Sequence, residues 1–285
     1  MVSAEIKNFG ILGYPVEHSF SPQMYRAAFE AAGLINYSYI HLSVQPGKLY
    51  MSVEGLKGLG FRGVNVTIPH KTMILSFLDA IDSDAMVIGA VNTVVNDGGI
   101  LTGYNTDVYG FLSALRNINF SLEGRRAVVL GAGGAARAIL WGLCKKRAKF
   151  IAIGARNPQK AQALANDFFN YGRIDGFDWQ SAEFKEMLRT ADILINTTPL
   201  GMFPDMDDMP PVDLKLLPKG ALVYDIVYNP EETKFLKTAR ELGLPTLNGM
   251  SMLLLQGKES YRLFTGELPD MEVMEQTLRK LLGAK

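Results

Sequence analysis

The chain has 285 residues, 48% hydrophobic and 20% charged, and its 29 basic and 29 acidic side chains cancel, which speaks against a broad electrostatic footprint for nucleic acid or an anionic membrane. The single Cys144 excludes an internal disulfide, no Cys/His cluster has the spacing of a zinc site, and no apolar run approaches bilayer length. With an acid at Glu5 and only a short apolar patch, the N-terminus is unlike a signal peptide, so a soluble cytoplasmic protein of two domains, needing no metal, is expected.

FGILGYP reads as a strand, SPQMYRAAFEAAG as a helix and YSYIHLSV as a second strand, a βαβ opening. Ser21 is the expected N-cap of that helix, with Pro22 at its first position and Gly33 at its stop. A helix near residues 46–58 leads into GVNVTIPHK, and another is expected just beyond Lys71. In GVNVTIPHK, Val64, Val66 and Ile68 alternate with Asn65 and Thr67, so one face of the strand is apolar while the other carries an amide and a hydroxyl. Residues 90–105, AVNTVVNDGGILTGYN, break the alternation, because two β-prone runs flank Asn96-Asp97-Gly98-Gly99, a hairpin signal. An amphipathic helix, DVYGFLSALRNI, then connects to RRAVVLGAGGAARAILWGLC, where βαβ restarts. FIAIGAR, DILINTTP, ALVYDIVY and PTLNG supply strands for one parallel sheet, and Asp205-Met206-Asp207-Asp208 reads as a solvated loop. The helical segment from about Met252 to Leu282 comes after the second sheet is complete and is expected to pack back on the first domain.

VVLGAGGAARAI places Gly131, Gly133 and Ala136 in a G-x-G-x-x-A turn between a strand and a helix. Gly131 permits the tight turn, Gly133 the close approach of a pyrophosphate, and Ala136 the packing of helix on strand, while the helix N-terminus donates free N–H groups to phosphate. Where an NAD site offers an acid at the end of the second strand, this chain has Arg156 and Asn157, with Lys160 a turn later, which favours NADP. The plainer reading is that Arg156 and Lys160 are helix-flanking charges facing water.

Other polar residues collect at the ends of first-domain elements: Ser19 and Ser21 in EHSFSP, Asn65 and Thr67, Asn92 in GAVNT, and Asp107 in GYNTD. An open α/β sheet binds its ligand beyond the carboxyl ends of its strands. Taken singly, each has a local reading: Ser19 or Ser21 and Asp107 as helix caps, Asn92 in a turn, Lys71 as a solvated charge. Together they offer hydroxyls and amides for a polyhydroxylated acid, with one Lys and one Asp for proton transfer. His18, His41 and His70 have no partner in a recognised spacing and are read as structural or exposed.

The stretches GYPVEHSFSP, GVNVTIPHK, GAVNT, GYNTD, VLGAGGAARA, NTTPLGM, YDIVYNP and MLLLQG, in this order, resemble the shikimate dehydrogenase family over almost the whole chain. The resemblance implies an N-terminal open α/β substrate domain completed by the C-terminal helices, residues 1–106 plus 249–285, with an NADP-binding Rossmann domain, 107–248, inserted between them across a cleft. It implies that Ser19 and Ser21 hold a substrate carboxylate with Tyr228 nearby, and that Asn92, Thr67 and Gln256 bind the ring and its hydroxyls. Lys71 and Asp107 match the family's catalytic pair. Gly131, Gly133, Gly134 and Ala135 match its phosphate cradle, Arg156 its 2′-phosphate ligand, and Asn157, Thr197, Ile226 and Gly249 its other cofactor contacts. Two departures stand out: Ala155 and Asn157 flank Arg156 where Asn and Thr are common, and Ser251 replaces a usual glycine.

The implied activity is reversible NADPH-dependent reduction of 3-dehydroshikimate to shikimate, a step toward aromatic amino acids, by a monomer or homodimer acting on a small molecule. Open alternatives are a quinate-using relative running on NAD and a non-catalytic binder of shikimate-like ligands. A folate-type dehydrogenase with a catalytic lysine has no use for the paired serines.

Overall fold

A computed structural model describes residues 5–283. The chain forms two compact units, one running to Gly110 and resuming at Leu254, the other Phe111–Leu253.

The first unit begins with β1 (Lys7–Gly13), α1 (Ser21–Ala31), β2 (Tyr37–Ser43), α2 (Leu49–Gly58) and β3 (Phe61–Val66). It continues through β4 (Ala80–Ile81), α3 (Ser83–Ile88), the β5 (Thr93–Asp97) and β6 (Ile100–Tyr104) hairpin, and the start of α4 (Asp107–Asn117). The sheet order is β2-β1-β3-β5-β6-β4. β1, β2 and β3 are parallel, whereas β5 runs antiparallel to both β3 and β6, so the rhythm changes at the hairpin as its turn residues imply. One face of the sheet buries Leu12, Val64, Val66, Ile74 and Val94. On the other, Tyr25 of α1 stacks on Tyr39 and touches Tyr261 and Phe264 of α9 (Met250–Thr265). α10 (Met271–Gly283) packs on α1, so the C-terminal helices do return to the first unit.

Two local expectations differ from the structure. Ser21 is the first residue of α1, not its cap, and its N–H meets Ser19 Oγ at 3.3 Å. Beyond Lys71 there is only a 3-10 turn, Ile74–Phe77. The Lys71 carbonyl accepts from the Val91 N–H at 2.7 Å, and this tertiary bond uses the acceptor that a continuing α-helix would need.

The second unit is a six-stranded parallel sheet in the order β12-β11-β10-β7-β8-β9. Its strands are β7 (Arg126–Leu130), β8 (Phe150–Ala155), β9 (Ile174–Asp178), β10 (Ile193–Asn196), β11 (Leu222–Asp225) and β12 (Thr246–Leu247). Between them run α5 (Gly134–Lys145), α6 (Pro158–Asp167), α7 (Ala182–Arg189) and α8 (Lys234–Glu241). This is the doubly wound order, whose switch point lies between β7 and β10. Strands buried on both faces read as continuous apolar runs, as AVVL, FIAI and ILI do, and Val128, Leu130, Ala152, Leu194 and Val223 pack with Phe184 and Phe235. β9 was not expected, because two aspartates and a glycine in five residues obscure an edge strand.

Candidate active site

The carboxyl ends of β1 and β3 lie side by side, and Tyr14 N–H after β1 donates to Ile68 O after β3 at 3.0 Å. Thr67, half-buried, continues this ladder by donating to Leu12 O at 2.9 Å. Beyond β1 the chain turns through Val16, whose carbonyl accepts from Ser19 N–H, and enters α1 with Ser19 Oγ 3.2 Å from Ser21 Oγ. Both serines are buried, and His41 Nε2 of β2 donates to Ser19 O at 2.9 Å. Their hydroxyls thus share a side, brought together at the start of a helix.

Beyond β3, Lys71 Nζ donates to Asp107 Oδ2 at 2.5 Å, both side chains being largely enclosed. Asp107 opens α4, but its carboxylate does not cap the helix: Asn105 Oδ1 accepts the Asp107 N–H instead. That frees Asp107 Oδ1 to accept from Asn92 Nδ2 at 2.8 Å. Asn92 is buried, its Oδ1 taken by Thr106 N–H at 2.7 Å, while its Nδ2 lies 3.4 Å from Gln256 Oε1 of α9. Lys71, Asp107, Asn92 and Gln256 therefore form one connected group, drawn from four segments of the first unit. Ser19 and Ser21 stand at the same strand ends as a separate pair. Tyr228 belongs to the second unit, half-buried after β11.

Behind this group lies a polar network of which the sequence singles out Asn65. Tyr39 OH donates to Asn65 Oδ1 at 2.7 Å, and Asn65 Nδ2 reaches Thr93 Oγ1 and Ser260 Oγ, each at 3.0 Å. Burial pushes the Tyr39 hydroxyl well above its ordinary range, which keeps it a donor. Asn65 is thus a brace across β2, β3, β5 and α9. Thr93 and Thr106 fall inside GAVNT and GYNTD, so their positions were visible; Ser260 and Tyr39 carried no signal beyond polarity on apolar faces.

In the second unit, Gly131 has φ +106°, a region L-residues rarely adopt, and a Cβ there would sit 2.8 Å from Thr197 Oγ1. Thr197 Oγ1 in turn donates to Leu130 O at 2.7 Å, which ties the segment after β10 to the turn. No side chain caps α5 at Gly133, and a Cβ on Gly133 would meet nothing within 4 Å, leaving open space above the helix N-terminus at Gly134 and Ala135. That combination fits a phosphate group. Arg156 is exposed just past β8 and forms no ion pair among the described residues. Asn157 Oδ1 caps α6 by accepting from Lys160 N–H at 3.0 Å, so the part of its side chain left for a ligand is its amide nitrogen. Gly249 is buried against the Ile226 carbonyl, where a Cβ would collide.

Three family patterns match in chain order: the shikimate dehydrogenase substrate binding domain over residues 11–94, shikimate / quinate 5-dehydrogenase over 113–200, and the shikimate 5'-dehydrogenase C-terminal domain over 249–279. The shikimate dehydrogenase (NADP(+)) of Methanothermobacter thermautotrophicus is 43% identical over 283 residues, covering 99% of both chains. A crystal structure of shikimate dehydrogenase in complex with NADP+ superposes with a TM-score of 0.89 at 39% identity, covering 99% of this chain and 98% of that one. The Thermus thermophilus enzyme in complex with NADP(H) and shikimate gives 0.85 at 38% identity, covering 96% and 99%. By its sequence over nearly full length and by its fold, the chain belongs to the shikimate dehydrogenase family.

Proposed function

We propose that the protein catalyses the reversible NADPH-dependent reduction of 3-dehydroshikimate to shikimate. The observation that carries this reading is the enclosed Lys71–Asp107 pair, joined through Asn92 to Gln256, in a chain of this family. In this reading residues 1–106 with 249–285 hold the substrate and 107–248 hold NADP.

NADPH, when bound, supplies the hydride that reduces the ketone carbon. Its phosphates are held by the turn at Gly131, Gly133, Gly134 and Ala135, and Arg156 meets the 2′-phosphate that distinguishes NADP from NAD. Thr197, Ile226, Gly249 and the Asn157 amide shape the remainder of that site. Ser19 and Ser21, with Tyr228, hold the substrate carboxylate, while Thr67, Asn92 and Gln256 bind the ring and its hydroxyls.

As the carbonyl carbon is reduced, negative charge grows on its oxygen, and a cationic donor placed there lowers the barrier. Lys71 fills that role: its ammonium stabilises the oxygen and passes it a proton, leaving a C–OH group. In the reverse direction Lys71 takes the hydroxyl proton back. Asp107 holds Lys71 in place through Oδ2 and is itself held by Asn92 through Oδ1. The test is a substrate and cofactor matrix: the purified protein should form NADPH from shikimate and NADP+ faster than from quinate or with NAD+. Preference for quinate with NAD+ would move the assignment to the quinate-using relative, and binding without turnover would make it a non-catalytic binder.

A further inference from the structure

Ser260 lies on α9 one turn after Gln256 and is fully buried. Its Oγ is 2.8 Å from Thr93 Oγ1 and 3.0 Å from Thr106 Oγ1, accepts from Asn65 Nδ2 at 3.0 Å, and donates to Gln256 O at 3.1 Å. Each partner adjoins or is a residue of the proposed substrate pole. Thr93 follows Asn92, Thr106 precedes Asp107, Asn65 stands two before Thr67, and Gln256 is itself one of them. Four segments, β3, β5, the stretch between β6 and α4, and α9, converge on one oxygen.

We propose that Ser260 is a positioning residue for the reduction assigned above, on which the inference rests: its hydroxyl orients Thr93 and Thr106 and through them keeps the Asn92 amide aimed at Asp107. Proton counting supports this. A hydroxyl has one hydrogen and two lone pairs. With the Ser260 hydrogen on Gln256 O and one lone pair on Asn65, one lone pair remains for either threonine. The other threonine has Asn92 Oδ1 within reach, 3.0 Å from Thr93 Oγ1 and 3.2 Å from Thr106 Oγ1, while Thr106 Oγ1 also accepts from Asn92 Nδ2 at 3.0 Å and lies 3.3 Å from Gln256 Oε1. Both threonines thus flank the Asn92 amide, whose oxygen accepts from the Thr106 N–H and whose Nδ2 donates to Asp107. Without Ser260 both threonine hydroxyls lose their shared partner, and the segments that carry Asn92 and Asp107 lose the link that holds them in register with α9.

The test measures kcat, KM for shikimate and urea stability in Ser260→Ala, Ser260→Thr, Thr106→Val and the Ser260→Ala, Thr106→Val pair. Asn96→Ala serves as a control: it removes a buried amide contact to Phe61 O, at the opposite end of β3 from Thr67. Ser260→Ala should lower kcat about tenfold, the equivalent of one buried hydrogen bond, with KM changed less than about threefold. Ser260→Thr, which keeps the hydroxyl, should recover most of that loss. On the Thr106→Val background, Ser260→Ala should cost less than about twofold, because coupled residues are not additive. Wild-type kcat in Ser260→Ala, full additivity with Thr106→Val, or an equal kcat loss in Asn96→Ala would each overturn the positioning role. Should Ser260→Ala fail to fold, Ser260→Cys, with similar volume and a weak donor, takes its place under the same expectations. A wild-type protein that does not oxidise shikimate would instead overturn the assigned reaction.

Discussion

Asp225 is fully buried at the end of β11, and its carboxylate accepts from Asn196 Nδ2 at 3.0 Å, Val227 N–H at 3.1 Å and Thr233 Oγ1 at 2.7 Å. Burial pushes this carboxyl up from an ordinary 3.8 to about 6, against the pull of those three donors. Below pH 3.8 the group is protonated in both the folded and the unfolded chain; between 3.8 and about 6 only the folded chain keeps the proton; above about 6 neither does. Stability therefore falls as pH rises through that window. At about 1.4 kcal/mol per pH unit, the charged form costs about 3 kcal/mol at neutral pH. Asp225→Asn keeps the shape and removes the charge: Oδ1 still accepts from Asn196 and Val227, and the new amide meets a Thr233 hydroxyl that can rotate to accept. Trp141 and Trp179, the two tryptophans of the chain, both belong to the second unit, so their fluorescence in urea reports its unfolding. The variant should be of similar stability to the wild type near pH 4 and gain on it by about 3 kcal/mol by pH 7. A stability difference that stays constant across that range would refute the reasoning.

Lys71→Ala should lower kcat by about a hundredfold to ten-thousandfold with a much smaller change in KM for shikimate, and a near-normal kcat would remove Lys71 from the mechanism. Arg156→Ala should raise KM for NADP+ while leaving KM for NAD+ close to wild type; equal effects on both would end the 2′-phosphate assignment. Gly249→Ala drives a Cβ into the Ile226 carbonyl, so it should destabilise the second unit by about 1–3 kcal/mol and weaken NADP+ binding measured by titration. Unchanged binding would show that this close approach plays no part in shaping the cofactor site.

The sequence was most readable where the chemistry is local. The turn at Gly131 needs a strand before it, a helix after it and a backbone conformation that glycine tolerates, and all of these are written within a dozen residues. The hairpin at Asn96–Gly99 is legible for the same reason. Local expectations failed where another group, near or far in sequence, took the bond. Lys71 O is claimed by Val91 N–H, so the apolar run after it makes a single 3-10 turn rather than a helix. Ser21 gives up the cap because Ser19 Oγ takes its N–H, and Asp107 gives it up because Asn105 does. The side chains that local rules assign to those two helix ends are left for other partners, the Ser21 hydroxyl for Ser19 Oγ and the Asp107 carboxylate for Lys71 and Asn92.

Asn65 shows the limit most clearly. Its alternation with Val64 and Val66 marks a polar strand face, and such a face reads equally well as a ligand wall or as a brace. Its Oδ1 accepts from Tyr39 and its two amide hydrogens are shared among Ser260, Thr93 and the Asn92 carbonyl, so its capacity is committed inside the protein. Burying such a network costs desolvation, and satisfying it fully is what makes it rigid. That cost is met on folding, before any substrate arrives. In the proposed reaction Asn92, Asp107 and Lys71 would then be held ready, with little reorganisation left for the moment when charge develops on the substrate oxygen. A strand with one apolar and one polar face thus serves the core and the chemistry at once, with Asn65 and Thr93 bracing the segments that carry Lys71 and Asn92.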